Sequence, residues 1–140
     1  MSEGAIADCG LRIEESEDGA LPREEFKRRT FLFGVRVIRL TEALSKTDAA
    51  RVIGKQLLRC GTSVGANYRA AARARSRADF ISKMGIVEEE CDESLYWIEM
   101  LCELELLERK RVEPLLAEAN ELLSITISSI KTARKNSQKP

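Results

Sequence analysis

Apolar residues recur at helical spacing from Phe26 to Ala133, and in one segment a polar row recurs beside them. The first stripe is Phe26, Thr30, Phe33, Val37, Leu40 and Leu44, which predicts a helix over about 23–44. Gly34 weakens it mildly, by roughly 1 kcal/mol against alanine. Ser45, Lys46 and Thr47 form a loop, with Thr47 or Asp48 placed to cap the next helix. Ile53, Leu57, Cys60, Val64, Tyr68 and Ala71 then mark a second helix over about 49–73. It is rich in small residues (Gly54, Gly61, Gly65, Ala66, Ala70, Ala71, Ala72), so a neighbouring helix can approach closely. The pair Gly61 and Gly65 would weaken this helix in isolation, so tertiary packing must hold it.

A turn near Ala74–Ser76 reverses the chain. Ser76 to Asp79 resembles a capping box with Asp in place of Glu, opening a third helix that runs to about Leu107. At 1.5 Å per residue that is roughly 45 Å of rod. Its seam is Phe80, Met84, Val87, Cys91, Ser94, Ile98 and Leu101. Glu108 to Arg111 reads as a solvated turn, and Pro114 suits the first turn of a fourth helix. Leu116, Ala119, Leu123, Thr126 or Ile127, Ile130 and Ala133 face inward there. Lys131, Arg134 and Lys135 complement the dipole at its end. There is no strand signal and no internal repeat. Four long segments joined by short turns predict an all-α, antiparallel up-down-up-down four-helix bundle over 23–135. Residues 1–22 are acidic and aperiodic and are expected to be a disordered tail, and 136–140 are expected to fray.

The polar row is Gln56, Arg59, Ser63 and Asn67, at intervals of 3, 4 and 4 on one face of the second helix. Beside an apolar stripe such a row is costly unless its hydrogen bonds are satisfied. It faces another polar surface of the chain, a second subunit or a ligand, or it is simply a solvated surface row.

Bulk properties narrow the function. The chain has 140 residues, enough for one domain with a proper core, with 44% hydrophobic and 33% charged residues. No apolar run approaches the roughly 20 residues needed to span a bilayer. The N-terminus has neither basic nor apolar signal regions, so a cytoplasmic location without membrane contact is expected. Cys9, Cys60, Cys91 and Cys102 form no CxxC pair and the chain has no histidine, which argues against zinc and against histidine-dependent catalysis. Buried reduced thiols are the expectation, with Cys9 an exposed thiol in the tail. Glu90 and Glu93 share a face where a carboxylate-only metal site is conceivable, although helix-surface acids are usually solvated or paired. No phosphate-cradling glycine motif occurs. No metal, no cofactor and no enzymatic activity are expected.

Net charge is zero, yet the charges are segregated. Residues 1–22 hold six acids against Arg12, and 51–83 hold eight bases against Asp79. Residues 84–108 hold nine acids and no base. Arg69, Arg73, Arg75 and Arg77, with Lys83 beyond them, form the best candidate for a binding surface, since guanidinium groups grip phosphates. Pairing with the acids of the third helix is the competing use. Tyr68, Tyr96 and Trp97 read as packing residues rather than base-stacking platforms. Trp97 lies one turn from Glu93, off the seam and beside Met100, so this helix offers a second face for contact between copies.

Three stretches together carry a family resemblance: Gln56 to Arg69 with its polar row, Ser76 to Ile81, and Glu93 to Ile98. They resemble the four helix bundle protein family, also called the 23S rRNA intervening-sequence protein family and sometimes misnamed ribosomal protein S23. The likeness covers about 26–130. It implies an up-down four-helix bundle that assembles into ring-like homopentamers. It is similar also to the accessory protein of diversity-generating retroelements, which implies a basic surface able to take up RNA or DNA. On this resemblance Gln56, Arg59, Ser63 and Asn67 match the family's polar row and Glu93 its helix-three acid. Many members carry a Glu three residues after the Asn, where this chain has Ala70. The resulting expectation is a non-enzymatic homo-oligomer acting as a nucleic-acid-associated adaptor. The alternative is a purely structural or protein-interaction module whose charges serve intersubunit pairing.

Overall fold

The structure is a computed structural model and describes residues 22–137. The expected tail falls, apart from Pro22, outside these residues, as do 138–140. Four helices succeed one another: α1 (Arg23–Glu42), α2 (Asp48–Ala71), α3 (Arg77–Glu103) and α4 (Arg109–Ser137). No strand occurs among the described residues. Each linker is short, 43–47, 72–76 and 104–108, so consecutive helices must fold back on one another. Contacts agree: a side chain at Gly54 would meet Leu44, at Gly61 Val37, and at Gly65 Thr30, an antiparallel register between α1 and α2. Packing joins α1 to α2, α2 to α3 and α3 to α4, and closes the bundle through a thinner contact of α1 with α4. No described helix is long and apolar enough to cross a membrane.

Local chemistry explains the helix ends. The Thr47 hydroxyl accepts from Ala50 N at 3.2 Å, so Thr47 and not Asp48 is the cap of α2. The Ser76 hydroxyl accepts from Asp79 N at 3.0 Å, and Asp79 reaches back to Arg75 N at 3.3 Å. That is the expected capping arrangement, shifted by one residue on its return bond.

The α3–α4 turn departs from the sequence expectation. Helix α3 ends at Glu103, four residues before Leu107, because Glu105 adopts a left-handed φ of 58°. Leu106 N then donates to Leu101 O at 2.9 Å and Glu105 N to Cys102 O at 3.0 Å. This is the Schellman arrangement, which satisfies the last carbonyls of a helix. With the reversal placed there, α4 begins already at Arg109. Arg109 to Arg111 therefore belong to the helix and not to a solvated turn, and Pro114 sits in its second turn. Helix α4 also continues through Asn136 and Ser137.

The core matches the predicted stripes closely. Ile53, Leu57, Cys60, Val64, Tyr68 and Ala71 of α2 are all buried, as are Met84, Val87, Cys91, Ser94, Ile98 and Leu101 of α3. Phe26, Thr30, Phe33 and Val37 of α1 meet them, with the Phe26 and Tyr68 rings edge-on at 4.6 Å. In α4 Ala119, Leu122 and Thr126 are fully buried, Leu123 is half-buried, and Thr126 is chosen over Ile127. Starting at Arg109 extends the stripe to Val112 and Leu115, and Leu122 lies two turns beyond Leu115 on the same face. The Thr126 hydroxyl costs little there because it donates to Leu122 O at 2.7 Å.

Two glycines let α1 and α2 meet closely. A Cβ at Gly61 would lie 2.7 Å from Val37 Cγ1, and one at Gly65 would lie 3.1 Å from the Thr30 carbonyl carbon and oxygen. Gly61→Ala is expected to destabilise by about 1–3 kcal/mol through overpacking, partly offset by helix propensity. Adding Val37→Ala should recover part of that loss. Gly65→Ala meets backbone, so no side-chain truncation should rescue it. Urea unfolding of the four proteins checks both statements. Replacing the left-handed Glu105 with glycine should stabilise by about 1 kcal/mol, read in the same assay.

Candidate functional site

The polar row of α2 divides into two groups. Arg59 reaches across to α3, where Nη2 lies 2.6 Å from Glu93 Oε2 and Nη1 lies 3.2 Å from Glu90 Oε2. The Glu93 hydrogen bond holds the guanidinium above its ordinary pKa. Trp97 Nε1 donates to the other Glu93 oxygen at 3.4 Å. Glu90 and Glu93 do share a face, and the cation they hold is Arg59. Ser63 instead donates to Arg59 O at 2.7 Å, and Asn67 Nδ2 to Ser63 O at 2.8 Å. Both thus bond back to their own helix. Gln56 is exposed. Of the five residues read as one polar network, the fold brings together Arg59 and Glu93, with Glu90 added, and leaves Gln56, Ser63 and Asn67 outside the cluster.

Within one chain this ribbon remains open. The Arg59 side chain is 51% exposed, and Ser63 and Asn67 are half-buried. Beside it lie Tyr96, 54% exposed, and Trp97, their rings edge-on at 4.9 Å. Tyr68 is the packing residue expected, while Tyr96 faces solvent.

Arg69, Arg73, Arg75 and Arg77 are exposed and cluster at one end of the bundle, on the last turn of α2 and the α2–α3 turn. None has an ion-pair partner among the described residues. Lys83 is different: its Nζ lies 3.0 Å from Asp79 Oδ2, and that bond holds the Asp79 carboxyl below its usual range. The α3 acids that could have paired with the arginine run lie toward the other end or hold Arg59.

Three features escaped the sequence. First, a cleft of about 990 Å³ opens at the arginine end, between the first turn of α1, the α2–α3 turn and the second half of α4. Arg23, Arg75 and Arg77 border it, opposite Ser124, Ser128, Thr132 and Asn136, a row at four-residue spacing that was legible in principle. Second, an apolar groove of about 640 Å³ runs along the outer face of α1 and α2. Third, Arg29 clasps α1 to α4. Its guanidinium binds both oxygens of Glu118 and lies 3.0 Å from Glu121. Hydrogen bonding to Glu118 raises the Arg29 pKa, and only 13% of its side chain is exposed.

The thiols are placed for packing. Cys60 and Cys91 are buried and Cys102 is half-buried, and Cys9 lies outside the described residues. Burial pushes the Cys60 thiol up and the Cys91 thiol up to about 12. Among the described residues no group of three or more acids and cysteines is set to hold a metal ion.

The model of the family described as 23S rRNA-intervening sequence protein matches residues 24–128. The chain belongs to that family. A crystal structure from Bacteroides thetaiotaomicron VPI-5482, of a protein of unknown function from the S23 ribosomal protein family, is similar over 78% of this chain and 97% of that one. The two share 38% sequence identity with a TM-score of 0.73. No curated protein matches. The residues that carried the resemblance, from the polar row through Asp79 and Phe80 to Glu93, all lie inside the matched span.

The half-buried clasp should outweigh the exposed one in a single chain. Arg29→Ala is expected to cost about 2 kcal/mol, since it leaves Glu118 without its partner. Arg59→Ala should cost less, because solvent screens an exposed pair. Chemical denaturation at low protein concentration would show the order, and equal losses would contradict it.

Proposed function

We propose that this protein is a non-enzymatic, homo-oligomeric helical bundle that acts as a nucleic-acid-associated adaptor through the basic end of α2. The pentameric state belongs to the same proposal and rests on the family resemblance. The observation that carries the nucleic-acid reading is the freedom of Arg69, Arg73, Arg75 and Arg77. Four exposed guanidinium groups without carboxylate partners among the described residues, on one end of the bundle, present donors that phosphate oxygens can accept from. Lys83 adds charge nearby while held by Asp79. Such contacts would be independent of base sequence.

Assembly is supported by the other ribbon. Gln56 and Arg59 are exposed, and the single hydrogen bond Asn67 makes leaves its carbonyl free to accept from another copy. Tyr96 and Ile86, 54% and 40% exposed, add apolar area on α3. A second copy laid here would bury the Arg59–Glu93 pair, so that removing either partner would leave an unpaired buried charge.

The competing reading is an interaction module whose charges pair between subunits. Glu89, Asp92, Glu99 and Glu103 favour it, being exposed along α3 without a basic partner among the described residues. Salt separates the two. For the adaptor, fluorescence titration with a labelled RNA or DNA strand should show binding that weakens steeply with salt. Each of Arg69→Ala, Arg73→Ala, Arg75→Ala and Arg77→Ala should flatten the log–log slope by about 1. For the module, salt should dissociate the oligomer in sedimentation and no strand should bind even at low salt. Asn67→Leu and Glu93→Ala should weaken assembly in either case, and unchanged sedimentation of both would remove the polar ribbon from the interface.

A further inference from the structure

The polar cleft at the basic end presents three chemically different surfaces. On one side stand Arg23 of α1 and Arg75 and Arg77 of the α2–α3 turn. None of the three has an ion-pair partner among the described residues, and the acid on the lining, Glu121, is held by Arg29. Helix α3 starts beside them. There the Ser76 hydroxyl accepts from Asp79 N and the Ser76 carbonyl from Phe80 N, so the N–H groups of Arg77 and Ala78 have no partner among the described residues. A helix start in this state favours an anion. Asp79, the acid nearest in sequence, holds Lys83 and lies off the lining.

The opposite wall belongs to α4. Thr126 and Ser129 turn their hydroxyls back to their own helix. The Ser124, Ser128 and Thr132 hydroxyls and the Asn136 amide make no such bond among the described residues, and stand exposed along the cleft. Between the two walls the lining is apolar. Phe26, Tyr68 and Met84 are buried there, while Phe80 and Ile125 are half-buried. Tyr68 is 5% exposed, and its hydroxyl has no hydrogen-bond partner among the described residues. A phenol so placed ordinarily finds one.

We propose that this cleft binds a nucleoside monophosphate, with its phosphate on Arg75, Arg77 and the start of α3, its sugar along the α4 row and its base against Phe80 and Ile125. A phosphate monoester carries about −1.5 to −2 charge and three acceptor oxygens, enough to engage several donors at once. Sugar hydroxyls donate and accept, as Ser, Thr and Asn do. The faces of a base are flat and stack on an aromatic ring. At about 990 Å³ the cleft is as large as small-molecule sites of roughly 300–1,000 Å³ become. Inorganic phosphate alone would leave the α4 row and Phe80 unused, and an acyl chain would lie against hydroxyls it cannot bond. Arg69 and Arg73 are not on the lining, so this site does not depend on strand uptake by the arginine run.

Isothermal titration calorimetry on the full chain at low salt tests it, with AMP, GMP, CMP and UMP set against their nucleosides and inorganic phosphate. At least one mononucleotide should bind at least about tenfold tighter than its nucleoside or than phosphate, the worth of a good set of charge-assisted bonds. Arg77→Ala should weaken that binding by about tenfold. Ser128→Leu, which puts bulk into the cleft, should abolish it and leave strand binding unchanged. Arg69→Ala with Arg73→Ala should do the reverse. Circular dichroism checks that each variant keeps its helices. No binding by any of the four mononucleotides, a nucleoside bound as tightly, or affinity unmoved by Ser128→Leu would each overturn the cleft site. Strand binding that persists in that event leaves the adaptor reading standing, and mononucleotide binding without strand binding removes the adaptor alone.

Discussion

The close approach of α1 to α2 at Gly61 and Gly65 is the constraint on which the rest of the bundle depends. With hydrogens on that face, Val37 and the Thr30 backbone come within contact distance of α2. Helix α2 can then give a separate face to each neighbour. Its glycine face meets α1, its apolar stripe from Ile53 to Ala71 closes the core, and Arg59 reaches α3. A larger residue at Gly61 or Gly65 would push α1 outward and open the layer that buries Phe33 and Leu57. Two glycines are poor helix formers, so this helix holds its shape because its neighbours surround it.

The same closeness shapes the surface. Two helices packed backbone to backbone leave a shallow groove on their outer side, and the side chains beyond the contact, Phe31 and Ile38, stay largely exposed there among the described residues. On the opposite side the contact of α1 with α4 is the thinnest between neighbouring helices, and Arg29 with Glu118 and Glu121 bridges that seam. Above that clasp the cleft opens, because α4 turns serine, threonine and asparagine side chains toward α1 and not further leucines. Polar residues in such a row cannot supply the apolar area that would draw the helices together.

Charge segregation takes on meaning only once the helices are placed. Nine acids on 84–108 looked able to absorb the whole arginine run. Antiparallel packing of α2 on α3 gives Glu90 and Glu93 to Arg59, near the middle of both rods, and leaves Arg69 to Arg77 at the end where α3 begins. There Asp79 holds Lys83 and the Arg75 backbone. The basic end is thus left free by register.

Much of this was legible in the chain. The stripes of α2 and α3, the Thr47 and Ser76 caps and the four-helix order came out of periodicity and local hydrogen bonding, which act over one or two turns, and the family came from the likeness of three short stretches to known members. The α3–α4 reversal was not legible, because a left-handed Glu105 leaves no mark of the kind glycine gives, and the start of α4 moved with it. Nor could spacing tell that Ser63 and Asn67 bond back to their own helix while Arg59 crosses to the next. Sequence by itself determined which residues are apolar, where helices start, and that small residues interrupt α2. Only tertiary structure decided which acid meets which base and where cleft and groove open, because those depend on distances between helices that no local pattern encodes.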